Sequence, residues 1–149
     1  MVDAHERQVI REVKYSAEHM GVLKEQDATA WLGQHMSESH AEELEGPWSY
    51  SYLKGDRVLA CVGVNLFWQD RGEAWAVFEL GLERDFLPLF LKIKRQLSKV
   101  QLKRIEAKVD RNYVQAHRLV EALGFDLESP VLPFYFPDGR HGTGYVRVN

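Results

Sequence analysis

Arg104–Glu128 reads RIEAKVDRNYVQAHRLVEALGFDLE, and its punctuation decides the fold. RIEAKV (Arg104–Val109) alternates apolar with polar residues, as a strand with one buried face does. YVQAHRLVEAL (Tyr113–Leu123) changes to the amphipathic spacing of a helix. Gly124 then stands just past the helix, where a left-handed residue ends it, and Phe125 returns the chain to the core. Between strand and helix, Asp110, Arg111 and Asn112 read equally as site residues or as an Asx-type turn.

Upstream, DFLPLFLKIKRQLSKVQ has Leu87, Phe90, Leu91, Lys94 and Leu97 at helical spacing. Asp85 is its N-cap, and Pro88 is tolerated in the first turn. A helix joining AWAVFEL (Ala74–Leu80) to RIEAKV makes those strands a parallel crossover pair. Before it, WSYSYL, RVLACVGVNLFW and AWAVFEL form an antiparallel meander, joined by turns at KGD and QDRGE. Near the start, QVIREVKY (Gln8–Tyr15) is a first strand, and Ser16 opens a helix through AEHMGVLKEQ. A second helix runs through DATAWLGQHM from an N-cap at Asp27; SESHAEELEG is loop or a helical turn. After Phe125, strands around VLPFYF and YVRV flank PDGRHGTG. The order β-α-α-β-β-β-α-β-α-β-β gives a mixed α/β sheet, and 149 residues without linker or repeat make one domain, 1–149.

A net charge of −3 excludes a generally basic, nucleic-acid-coating protein. Cys61 lies in an apolar run, so it reads as a buried, inert thiol and no internal disulfide forms. The start carries no secretory h-region, and no stretch has the roughly 20 apolar residues of a membrane span, which predicts a cytosolic protein.

The element order and the Arg104–Glu128 segment resemble the GNAT superfamily of acetyl-CoA-dependent N-acyltransferases. Ala116, Leu119, Leu123, Gly124 and Phe125 match its helix-then-Gly-Phe pattern, with Asn112 one position early. With the ending PDG and YVRV, the chain is most similar to a small acetyltransferase-like group of tailed phages. That resemblance implies a protein of the host cytoplasm or the virion.

The same resemblance implies acetyl-CoA as cofactor, its pyrophosphate held by a Gly-rich loop before the long helix. Here that stretch is ELGLERDFLPLF. Leu80, Gly81 and Arg84, with Asn112, are the cofactor-binding candidates. Only Gly81 permits close backbone approach, Pro88 lacks an N–H, and Glu83 and Asp85 repel phosphate. The implied proton donor falls on Val120, which cannot serve. Tyr145 is the substitute carried forward, beside Tyr113 and Tyr135; Glu79, or Glu73, is the general base.

Six cations in Lys92–Arg104 read as a solvated helix face favoured by the helix dipole, ahead of a nucleic-acid surface. The histidines have no zinc-site spacing, so no metal is expected. Trp48, Trp68, Trp75, Tyr50, Tyr52 and Phe67 load the meander with aromatic area, which suits a protein partner or a homo-oligomer. Two readings therefore stand: an interaction module on this scaffold with a degenerate acetyl-CoA site, and an acetyltransferase with a divergent loop.

Overall fold

A computed structural model describes residues 9–26, 28–30 and 38–149. Its elements are β1 (Arg11–Lys14), α1 (Ala17–Glu25), β2 (Ala28–Ala30), α2 (Glu38–Glu43), β3 (Ser49–Lys54), β4 (Arg57–Trp68), β5 (Arg71–Glu79), α3 (Phe86–Ser98), β6 (Arg104–Asp110), α4 (Val114–Ala122), β7 (Asp126–Leu132) and β8 (Gly142–Val148). The strands lie in the order β1-β3-β4-β5-β6-β8-β7, with β2 on β5. β5 and β6 run parallel, as the crossover requires; the other pairs are antiparallel.

Alternation sends Ile105, Ala107 and Val109 of β6 towards α3 and α4, where they pack with Leu97, Ala116, Val120 and Phe125. Trp75 and Val77 of β5 face the other way, onto Tyr15, Met20, Leu23 and Ala41 of the α1–α2 layer. The sheet is thus covered on both faces. Gly124 has φ 97°, so the chain reverses as the sequence predicts, and Phe125 is buried.

Three expectations need correction. The stretch assigned to a second helix contributes β2 at Ala28–Ala30; Asp27 and residues 31–37 lie outside the described residues. Long-range pairing to β5 overrides the helical preference of its two alanines. For SESHAEELEG the helical alternative holds, as α2 at Glu38–Glu43. α3 buries Leu89, Ile93 and Leu97, whereas Leu87 and Leu91 are more than half exposed, at 62% and 55%. The final hairpin begins at Asp126, so Phe134, Tyr135 and Phe136 fall in its connecting loop.

The end of α3 is closed by a side chain from β8. Arg147 donates to the carbonyls of Leu97 at 3.1 Å and Val100 at 2.9 Å; Leu97 O also accepts from the Val100 N–H at 3.1 Å, so the helix end is closed twice over. Burial lowers the guanidinium pKa, so these carbonyls and the helix dipole hold its charge. Arg147→Met is expected to cost about 2 kcal/mol of stability, read as a lower urea midpoint with unchanged slope.

Candidate functional site

β5 and β6 stay paired only from Arg71/Arg104 to Glu73/Glu106. Beyond Glu73 they part, and β2 takes β5's edge at Val77–Glu79. Residues 74–76 are left between the two partners. Parallel strands that separate leave unpaired backbone groups and a gap. Above the gap, the Leu80–Leu82 turn and the first turns of α3 and α4 enclose a groove of about 580 Å³. Phe78, Leu82, Phe86, Phe90 and Leu119 form its apolar surface; Glu79, Tyr113, Gln115 and Arg118 are its polar lining residues. An apolar cleft with a few convergent polar groups is the usual form of a small-ligand site. Beneath it, a second apolar cavity of about 70 Å³ lies among Ala74, Ala76, Val109 and Val120.

The turn into α3 is tight and acidic. Gly81 (φ 75°) and Glu83 (φ 47°) are both left-handed, and a 3₁₀ turn at Glu83–Asp85 runs straight into the helix. The Asp85 N–H donates to Leu82 O at 2.9 Å and the Phe86 N–H to Glu83 O, so two donors that would receive an anion are occupied. Asp85 is tied to Lys54 at 2.9 Å. Arg57 grips Glu79 with two N–H groups, at 2.5 and 3.3 Å.

The other face of β5 and β6 carries charge. Glu106 is buried, and its carboxylate accepts from Arg71, from Arg104 at 3.1 Å and from Lys108 at 2.9 Å. Lys108 also donates to Glu73 at 2.9 Å. The Arg71 hydrogen bond, opposed by burial and aided by Lys108 and Arg104, holds Glu106 well below the usual carboxylate range. Burial works to lower the Lys108 pKa, but its bonds to Glu106 and Glu73 outweigh it and raise the value. Glu73 and Glu106 are therefore held by cations on this face.

Of the residues singled out in the sequence, the structure brings Glu79, Leu80 and Gly81 to the groove. Arg84 lines a neighbouring polar depression with Lys54, Arg57 and the two acids. Asn112 sits in the β6–α4 turn, its N–H donating to Asp110 Oδ1 at 2.9 Å. Tyr145 is away from the groove: its hydroxyl lies 2.7 Å from His117 Nδ1 and 3.2 Å from Glu121 Oε1. Burial, then Glu121, raises its pKa. Tyr135 is on the β7–β8 loop, against Gly142. Tyr113 is the tyrosine that lines the groove, and Val120 is core.

Arg118, Gln115 and Ala122 were missed, yet they share one face of α4 at i, i+3 and i+7, a spacing legible in the sequence. Phe90 was read only as helix, and Phe86 as a bulky residue in place of a loop glycine. Of the histidines, His5, His35 and the side chain of His40 lie outside the described residues. Among the described residues, no helix is long and apolar enough to cross a membrane.

No protein-family model and no curated protein sequence matches the chain. Solved structures do. An N-acetyltransferase from Staphylococcus aureus Mu50 has a TM-score of 0.71 at 9% identity, covering 94% of this chain and 97% of that one. The ribosomal-protein-S18-alanine N-acetyltransferase from Escherichia coli scores 0.69 at 13% identity, covering 94% of each chain. Ard1 from Thermoplasma volcanium scores 0.68 at 12% identity, covering 93% and 97%. At such identities the likeness is one of fold. Element order, parted strands and these likenesses agree that the chain has the fold of the GNAT N-acyltransferases.

Proposed function

We propose that the protein is an N-acyltransferase that seats an acyl thioester of the coenzyme A type in the groove. The observation that carries this reading is the roomy apolar groove between α3 and α4, beside the place where β5 parts from β6. The acyl carbonyl would lie at the gap beside residues 74–76, and the donor's arm would run outward between α3 and α4.

In the transfer, an amine nitrogen bonds to the thioester carbon, the C–S bond breaks, and the thiolate leaves. One proton must leave the nitrogen and one must reach the sulfur. Tyr113, which lines the groove, would supply the second. Glu79, which lines the groove and is paired with Arg57, would take the first.

Acetyl-CoA at 100 times its dissociation constant should stabilise the native state by about 2.7 kcal/mol, a rise in Tm of roughly 5–10 °C for a chain of this size. The absence of both a thermal shift and heat on titration, with acetyl-CoA and with an acyl thioester of pantetheine alike, would end this reading.

A second reading is favoured by the apolar rim of the groove, where Leu80 and Leu87 are exposed. It makes the protein an interaction module of a tailed phage, binding a virion or host protein in the host cytoplasm. Thioester binding with turnover of an amine would decide against it.

A further inference from the structure

We propose, on the basis of the acyl-thioester reading above, that the groove's donor is an acyl thioester of 4′-phosphopantetheine that carries no nucleotide. Three observations on the groove's outer end converge on this ligand.

First, the outer end is apolar where a nucleotide diphosphate would emerge. Leu80 and Leu87 line the groove and are each more than half exposed, at 56% and 62%. Such a rim gains nothing from a charged, hydrated diphosphate and ribose phosphate, whose desolvation it would not repay. It does suit the alkyl and amide body of a pantetheine arm, or the apolar skin of a protein that carries one.

Second, the turn that would cradle a diphosphate is already closed upon itself. The N–H groups of Asp85 and Phe86 are spent on Leu82 O and Glu83 O, and Pro88 has none to give. Glu83 and Asp85 add negative charge at the same place, and Lys54 answers only Asp85. Arg84 belongs to the separate depression behind this turn.

Third, the opposite lip offers one cation. Arg118 of α4 lines the groove, and among the described residues no carboxylate forms an ion pair with it. One guanidinium matches one phosphate, with two N–H groups aimed at two of its oxygens. Coenzyme A would bring three phosphate groups to a site that provides for one.

The test is calorimetric titration of the full chain with S-acetyl-4′-phosphopantetheine, acetyl-CoA and S-acetylpantetheine. The phosphopantetheine thioester is expected to bind at least about tenfold more tightly than acetyl-CoA. Arg118→Gln is expected to weaken it about tenfold while leaving S-acetylpantetheine unchanged. Acetyl-CoA binding as tightly as the phosphopantetheine thioester would overturn the inference and leave the acyltransferase reading standing. If none of the three bound, that reading itself would fall. An acyl carrier protein bearing the same arm adds a further comparison. Tighter binding than the free thioester would identify the carrier as the source, and equal binding the free compound. Both results uphold the inference.

Discussion

Glu106→Gln is expected to lower the stability of the folded protein by about 3 kcal/mol at neutral pH, read from the midpoint of urea unfolding. The glutamine fills the same space but removes the charge that Arg71, Arg104 and Lys108 share. Arg104 retains Glu128 and Lys108 retains Glu73, while Arg71 keeps only its stacking on Phe67 and Trp68. Because the three cations are partly exposed, water screens part of the loss, and the figure sits at the low end for a buried pair. The pH dependence follows from the sign of the shift. Arg71 foremost holds the folded pKa of Glu106 below its unfolded value, so its contribution is complete above the ordinary carboxylate pKa of about 4.3. It is lost as pH falls from there towards the folded value. The gap between wild type and variant should therefore be constant from pH 7 to about pH 5 and narrow steadily below pH 4. A gap that stayed the same down to pH 3 would show that the carboxylate's charge is not what the three cations need.

Tyr113→Phe is expected to reduce kcat for acyl transfer about 100-fold and leave KM for the thioester nearly unchanged. The change removes the hydroxyl of a groove-lining residue and keeps its ring. A group that acts only as the thiolate forms should register in kcat and not in ground-state binding. Tyr145→Phe is the matched comparison. It removes a hydroxyl bonded to His117 and Glu121, so it should cost about 1 kcal/mol of stability and alter kcat by less than about threefold. If the two variants exchanged these effects, the proton donor would be Tyr145, reached through a rearrangement of α4. Equal activity in both would leave the departing sulfur to take its proton from water.

The strand, helix and glycine around Arg104–Phe125 were legible because their signals are local and agree. β6 alternates, α4 has one apolar face, and Gly124 occupies a position where other residues strain. α3 was harder for a physical reason. Its start, FLPLFL, is apolar all round, so the spacing of Leu87 and Leu91 is as helical as that of Leu89 and Ile93. Only the sheet beneath selects which set is buried. β2 left no local mark, since Ala-Thr-Ala is made a strand by an edge nearly 50 residues further along the chain. The site divides in the same way. Glu79, Leu80 and Gly81 follow from their place after a strand, whereas Arg118 and Phe90 meet only through the angle between two helices. Three tyrosines were indistinguishable by sequence because side-chain direction, not residue type, separates them.

β2 also bears on how such a sheet avoids sticking to its neighbours. A strand that leaves its partner halfway bares a row of donors and acceptors, an invitation to any extended chain nearby. Here β6 covers the beginning of that edge and β2 its end, so the bare interval shrinks to residues 74–76, about 10 Å of backbone. That interval is too short to nucleate a foreign strand, yet long enough for one small group to lie against. The protein keeps an aperture in its sheet without offering a template for aggregation.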